Sequence, residues 1–503
     1  MGGADVSGAD NIALGTTSLD ALTTGRCNVA MGSDALGAST TGCHNVGIGN
    51  LALGAADTTG NHNIALGTRA GDAITSACNS IALGKDALGA STTGNCNIAI
   101  GMSALGAGDV TGATNIAIGV NTADALTSGA CNVAIGFNAL GAATDNCDNI
   151  AIGQSALGVS VNDADNNVAI GNTAMGGADV SGASNIAIGT SSLEAVTSGE
   201  LNVAIGKNAI NQATTGTRNI GIGERALGAA NLAGNDNIGI GAFTGDALTS
   251  GACNIAIGHT ALSASTDGVD NIAIGRAAMA VSDGDGDRNI AIGITALGGA
   301  DVSGADNIAI GQATADALTT GIGNVAIGDN AFSASTTGCY NVAIGRLALG
   351  AGDTTGTNNV SIGNESMDAL TTGADNVSIG RSALGAGTTT CRNVAIGLAS
   401  MSGANATGAG DNVAIGTESF KGATTGLCNI AIGKDAMKTA TDNNDNIAIG
   451  RAAMLYSDGD GDGNIAIGTI AMGGADVSGA QNIAIGSTAV SYTHLTLPTI
   501  LLV

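Results

Sequence analysis

The chain has 503 residues, of which 83 are Gly, 1% are aromatic and 11% are charged, and its formal net charge is -26 at pH 7. Such a chain cannot build a thick aromatic core, yet its aliphatic residues are too abundant and too regularly placed for a disordered segment. The acidic balance argues against a nucleic-acid partner, because phosphate contacts need clustered Lys and Arg. No apolar run reaches the roughly 18 to 20 residues of a membrane helix.

One repeat accounts for almost the whole sequence. The motif N-[IV]-[AGS]-[ILM]-G occurs 28 times, from Asn11 to Asn482, at spacings of 17 or 18 residues with one of 19. We call its first residue the anchor; it is Asn in every copy except the one at Ser80. Seven of the 28 copies have an additional apolar residue eleven positions after the anchor: Leu22, Ile74, Leu126, Val196, Leu248, Leu318 and Leu370. Repetition at a fixed period is typical of stacked, solenoid architectures.

The period is too short for a helical hairpin, and one Gly in every copy disfavours helix by about 1 kcal/mol each. The alternation Ile-Ala-Ile is strand-like, and the Gly that follows permits a positive φ. We predict an all-β parallel β-solenoid or β-roll of about 28 rungs. Each rung would hold a second short strand at the x-A-L segment (Leu19, Leu36, Leu53 and Leu88) and a turn at T-T-G.

The first strand predicts two different faces. The residues one and three positions after the anchor are aliphatic in every copy, whereas the residue between them is Ala in 23 copies, Gly in three and Ser in two. We interpret the aliphatic side as the interior of the roll and the small-residue side as a contact with a neighbouring chain, so that the strand is buried on both faces. The anchor Asn residues should stack and hydrogen-bond along the solenoid.

The motif resembles two groups of fibrous proteins. The coils NVAMGSDALGASTTGCH (28–44) and NVAIGDNAFSASTTGCY (324–340) are similar to the N-x-A-I-G-x-x-A-L-x-x-x-T-T-G repeat of phage tail fibres, which has the same 17-residue period. The shorter S-V-A-I-G rungs of trimeric autotransporter adhesin heads are a more distant match. The resemblance covers residues 1–489 and implies a homotrimeric fibre or adhesin shaft. Such a shaft would be extracellular, on a virion tail or a bacterial outer membrane, and would act as a spacer that presents a region binding a host receptor or extracellular matrix.

The two termini depart from this pattern. Met1 stands ten residues before Asn11, the position that Met175, Leu297 and Met472 hold before later anchors. We therefore expect Met1 to be an internal residue and residues 1–489 to be a repetitive rod that is truncated at its N-terminus, with no cap. From Val490 the repeat stops, and VSYTHLTLPT resembles a translated sequencing adapter, so residues 490–503 are expected not to be native.

Two acidic loops are calcium candidates. SDGDGDGN places Asp458, Asp460 and Asp462 at alternating positions, and SDGDGDRN does the same with Asp283, Asp285 and Asp287. Both resemble the first half of an EF-hand loop, but neither has a Glu at loop position twelve. A solvated turn is the alternative, and no other cofactor is predicted.

The ten Cys and a His pair lie at the same turn. Each Cys stands one or two residues before an anchor, without C-x-x-C spacing, which argues against zinc. Free thiols and interchain disulfides both remain open. His44 and His62 share one offset in consecutive rungs, as solvated residues or as a metal pair.

We predict no enzymatic activity, since no set of nucleophile, acid and base can be assembled from the repeat. Two other functions remain as alternatives to a shaft. One is an ice-binding solenoid that presents Thr from the T-T-G turns, and the other is a β-helical polysaccharide-degrading tail protein.

Overall fold

The computed structural model describes residues 7–161, 164–228, 230–282, 286–403, 408–457, 461–474 and 479–490. Residues 491–503, which include most of the predicted adapter segment, lie outside this part of the chain. The chain divides into two compact units, Met1–Ala252 (unit 1) and Cys253–Val503 (unit 2). Within the described residues the secondary structure of both units consists of turns and three-residue strands, which confirms the all-β class.

Unit 1 is a parallel β-solenoid. Each strand pairs in register with the strand of the next rung, so that Ile12 lies opposite Val29 and Ala13 opposite Ala30. The strands are β1 (Ile12–Leu14), β2 (Val29–Met31), β3 (Val46–Ile48), β4 (Ile64–Leu66), β5 (Ile81–Leu83), β6 (Ile98–Ile100), β7 (Ile116–Ile118), β8 (Val133–Ile135), β9 (Ile150–Ile152), β10 (Val168–Ile170), β11 (Ile186–Ile188), β12 (Val203–Ile205), β13 (Ile220–Ile222) and β14 (Ile238–Ile240).

Unit 2 repeats the arrangement of unit 1. Its strands also pair in parallel and in register, as Ile255 with Ile272 and Ala256 with Ala273. The strands are β15 (Ile255–Ile257), β16 (Ile272–Ile274), β17 (Ile290–Ile292), β18 (Ile308–Ile310), β19 (Val325–Ile327), β20 (Val342–Ile344), β21 (Val360–Ile362), β22 (Val377–Ile379), β23 (Val394–Ile396), β24 (Val413–Ile415), β25 (Ile430–Ile432), β26 (Ile447–Ile449), β27 (Ile465–Ile467) and β28 (Ile483–Ile485).

The two faces of the strands are reversed relative to the sequence interpretation. In β4, Ala65 is 1% exposed, whereas Ile64 and Leu66 are 42% and 47% exposed. The same pattern, a buried middle residue between two partly exposed aliphatic residues, holds in the other strands except β1, in which Ala13 is half-buried. The small residue therefore points into the chain's own coil. Assigning it to a contact with another chain was wrong, because the coil is too narrow for a larger side chain at that point.

The predicted second strand is also wrong, because the x-A-L segment is a turn. Asp34 and Leu36 have φ of 55° and 50°, in the left-handed region that bulky residues seldom adopt. Ala35 and Leu36 are both 0% exposed. Two consecutive residues cannot both face the core in an extended strand, since successive side chains alternate. The left-handed residues turn both inward, and the core is made of these Ala and Leu side chains against the mid-strand Ala.

The predicted Asn ladder is confirmed. The backbone N–H of Asn202 donates to Oδ1 of Asn185 in the preceding rung at 3.0 Å, and Nδ2 of Asn202 donates to the Gly216 carbonyl at 2.8 Å. Asn185 and Asn202 are both 0% exposed. The anchor Asn side chain therefore accepts a backbone N–H of the next rung through Oδ1 and donates through Nδ2 to a carbonyl at the end of its own rung. Both polar ends of the buried amide are thus hydrogen-bonded.

The exception at Ser80 leads to a prediction. The Asn97 N–H donates to the Ser80 Oγ at 3.3 Å, and Ser80 Oγ reaches the Gly94 carbonyl only at 3.4 Å. We expect Ser80→Asn to stabilise this rung by about 1 kcal/mol, because the shorter amide hydrogen bonds of the other rungs are restored. Hydrogen exchange of the Asn97 amide measures the gain. Ser80→Ala, the control, should accelerate exchange, and faster exchange in Ser80→Asn would contradict the prediction.

Candidate functional surface

The most extensive feature of both units is an exposed aliphatic surface. It consists of the first and third residues of the strands, and we call it the outer face. Because the strands stack in register, these side chains form two parallel rows of Ile, Val, Leu and Met. Individual residues such as Ile188 and Ile379 remain 37% and 38% exposed. Contiguous apolar surface of this kind marks an interaction site more often than a solvated one.

Two of the six calcium candidates, Asp287 and Asp462, lie within the described residues, and each accepts a backbone hydrogen bond. Oδ1 of Asp287 accepts the backbone N–H of Val269 at 2.8 Å, and Oδ1 of Asp462 accepts that of Asn444 at 2.7 Å. Both are two residues before an anchor, where Asn61 accepts the Cys43 N–H in the same way. These two carboxylates therefore join consecutive rungs. Asp283, Asp285, Asp458 and Asp460 lie outside the described residues.

The other candidate groups lie along the turn before the anchor. The His44 and His62 rings stack with centroids 4.9 Å apart and an interplanar angle of 8°. All ten Cys have free thiols, and four of them, Cys96, Cys131, Cys253 and Cys428, are exposed. Within the described ranges, no group of three or more His, Cys, Asp or Glu side chains is placed to hold a metal ion.

The sequence patterns did not point to four carboxylates, of which Asp72 is buried and the other three are half-buried. Asp72, Asp124, Asp316 and Asp368 each stand nine residues after an anchor, in rungs with the additional apolar residue. Burial raises the pKa of all four above the ordinary value of 3.8; the backbone amides of Ala107 and Gly106 partly offset this for Asp124. Their spacing of 52 residues in the pairs 72 and 124, and 316 and 368, was the available signal.

The pH dependence of stability should reveal this burial. The pKa of Asp124 is higher in the folded chain than its ordinary value of 3.8, so the folded chain binds this proton more tightly than the unfolded chain does. Lowering the pH from above the folded-state pKa to 3.8 therefore increases the stability of the folded chain. We expect Asp124→Asn to raise the urea concentration at which the amides of its own rung lose protection near pH 7, by removing a buried charge, with the gain shrinking as the pH falls. Asp306→Asn is the control with the opposite trend, since Arg288 lowers the pKa of Asp306. A gain for Asp124→Asn that did not change with pH would contradict this.

Polar groups line the remaining depressions and turns. A cavity of about 270 Å³ is lined by Arg69, Asp86, Ser103 and Asp124, among others. In the T-T-G turns, the first Thr uses its hydroxyl within the stack, as Thr23 Oγ1 does toward the Thr40 carbonyl at 3.0 Å. The second Thr, such as Thr24, is exposed. This leaves one column of exposed hydroxyls on a turn, in contrast to the two aliphatic rows of the outer face.

No known protein family matches this chain, and neither does any curated protein. The part of the chain that the structure describes contains no helix that is both long and apolar enough to cross a lipid bilayer.

Proposed function

We propose that this chain is the shaft of an extracellular fibre, built as a homotrimer in which the outer faces of three chains pack together. The observation that supports this proposal is the outer face itself. Each rung presents two aliphatic side chains, such as Ile255 and Ile257, at a sheet surface that is only half-buried in the single chain. Burying a fully exposed side chain of this kind contributes about 1.5 to 3 kcal/mol, so covering the part that is still exposed would contribute a fraction of this in every rung.

The geometry of the strands suits self-association along a long contact. Because each strand lies in register with the next, the aliphatic rows have a constant spacing within each unit. A second copy presents the same spacing, so the two surfaces match rung by rung. Globular partners rarely offer a contact with that period. The trimer, in preference to a dimer, follows from the resemblance to tail fibres and adhesin heads.

The role is a spacer that holds a receptor-binding region away from a virion or a bacterial surface. A solenoid sets distance by its number of rungs, and the described rungs of this chain repeat the same core and, apart from Ser80, the same Asn ladder. The net charge of -26 supports a solvated, extracellular surface that does not bind nucleic acid. Host receptor or matrix binding would belong to another region of the protein, and we assign no catalytic activity to the repeats.

Light scattering after size exclusion tests the proposal on the full chain. The chain mass is 47.8 kDa, and we expect about three times this value. A monomer with the outer face in water would overturn the trimer. A stable dimer would retain the packing of outer faces but would reject the fibre architecture.

A further inference from the structure

The Cys residues of unit 1 follow a pattern that those of unit 2 do not. The six in unit 1 form three pairs in consecutive rungs, Cys27 with Cys43, Cys78 with Cys96 and Cys131 with Cys147. In each pair, one Cys stands one residue before the anchor of its rung and the other stands two residues before the anchor of its own rung. The one-residue offset comes first in the pairs 27/43 and 131/147 and second in the pair 78/96. In unit 2, Cys253, Cys339, Cys391 and Cys428 have no Cys in a neighbouring rung of that unit.

Cys147 directs its sulfur toward the preceding rung, which contains Cys131. Sγ of Cys147 accepts the backbone N–H of Ala130, the residue next to Cys131, at 3.4 Å. The Asp148 N–H donates to the Ala130 carbonyl at 3.0 Å, which holds the two rungs in register at this point. The sulfur of Cys147 is therefore directed toward the rung that contains Cys131.

The separation of the two residues is within reach of a disulfide. Strands of a parallel stack are about 4.8 Å apart, and one residue along the chain adds about 3.3 Å, so the Cα atoms are about 6 Å apart on the diagonal. Disulfides span Cα distances of about 4.4 to 6.8 Å. Sγ of Cys131 contacts Thr114 Oγ1, in the rung on its other side, at 3.2 Å. Because Cys131 is exposed, its side chain can leave this contact and rotate about the Cα–Cβ bond toward Cys147.

We propose that Cys131 and Cys147 form an intrachain disulfide that joins two consecutive rungs of unit 1. A small disulfide such as oxidised glutathione is the oxidant. The exposed Cys131 thiolate attacks it, forms a mixed disulfide and releases one glutathione thiol. The Cys147 thiolate then attacks the Cys131 sulfur, forms the protein disulfide and releases the second glutathione thiol. Two protein thiols are oxidised, one glutathione disulfide is reduced to two thiols, and both protons leave with the glutathione.

The bond gives the solenoid a covalent link that its hydrogen bonds do not provide. Free thiols persist in reducing compartments and disulfides in oxidising ones, so the link would form outside the cell. This consequence rests on the proposed extracellular location, whereas the chemistry of the pair does not. Cys27 and Cys43 have the same offsets: the first stands one residue before its anchor, and the second stands two residues before the next anchor.

Peptide mapping tests the disulfide on the full chain. The folded protein is equilibrated in an oxidising glutathione buffer, free thiols are blocked, and the denatured chain is cleaved before Asp without reduction. Cys131 and Cys147 then lie in different peptides, residues 124–144 and 145–147. We expect these two peptides to be linked, and Cys339 and Cys428 to carry a blocked thiol or one glutathione.

Two controls separate the possible results. Cys131→Ser should leave Cys147 unlinked, with no other change in the peptide map. In a refolded mixture of ordinary and nitrogen-15-labelled chains, an intrachain bond joins two peptides of the same label. Peptides of mixed label would show an interchain bond and overturn the proposal, as would glutathione on both Cys without a link. The oligomeric mass of the same sample reports separately on the proposed trimer.

Discussion

Replacing Gly433 by Ala is expected to destabilise unit 2 by about 3 kcal/mol, combining backbone strain with a backbone clash. Gly433 ends strand β25 with φ of 131°, well beyond the left-handed region that other residues tolerate. A Cβ at this position would lie 2.5 Å from the carbonyl oxygen of Gly450 in the next rung. That oxygen belongs to the backbone, so the clash can be relieved only by separating two rungs.

Hydrogen exchange is the appropriate measurement, since long repeat arrays do not unfold in one cooperative step. We expect faster exchange in residues 429–450 of Gly433→Ala than in the unchanged chain. Gly463→Asn is the matched control: its φ is 69°, its Cβ would meet only Gln481 Cγ at 3.6 Å, and Asn358 occupies the equivalent position at 60°. Equal exchange in the two variants would refute the steric account.

Charges on the outer face are expected to dissociate the proposed trimer. Ile379→Lys combined with Ile415→Lys places two ammonium groups on a surface that, in the trimer, excludes water. Burying an unpaired charge costs several kcal/mol, so a fall to the single-chain mass is expected in light scattering. The two residues are 38% and 36% exposed in the single chain, which therefore tolerates Lys at both positions.

The matched control carries the same charges on another surface. Thr355 and Thr389 are exposed turn residues: Thr389 is in the same rung as Ile379, and Thr355 is two rungs earlier. Thr355→Lys with Thr389→Lys should retain the mass of the unchanged protein. If both double variants had that mass, the outer face would not be the interface, and if both dissociated, charge alone would account for the effect.

Much of the fold could be read from the repeat because its signals are local. The aliphatic–small–aliphatic alternation predicted the strands, and the nearly constant anchor Asn predicted the ladder that Asn185 and Asn202 form. The turn at x-A-L was also detectable in principle: Ala35 and Leu36 are consecutive and both apolar, which alternation in a strand does not allow. The left-handed φ of Leu36, however, could not be predicted from the residue type, since Leu seldom adopts a positive φ.

The surface was harder to predict than the fold. Ile64 and Ala65 are both apolar, and hydrophobicity alone favours the larger side chain inside; the structure places Ala65 inside and Ile64 outside. The width of the coil determines which side chain faces the core. The Leu of the turn already fills the space opposite the strand, so only a small side chain fits there. That width depends on how two turns close one rung, which is a property of the whole coil.

The sequence by itself thus determined the period, the parallel stacking and the Asn ladder, because each follows from residues that recur at fixed spacing. Only the tertiary structure decided which face of the strand is buried and which rung the Cys147 sulfur faces. Asp148 donates to the Ala130 carbonyl and so fixes the register in which the Cys147 sulfur accepts the Ala130 N–H, 17 residues earlier in sequence. Contacts of this kind depend on the register between rungs, which the chain acquires only by stacking.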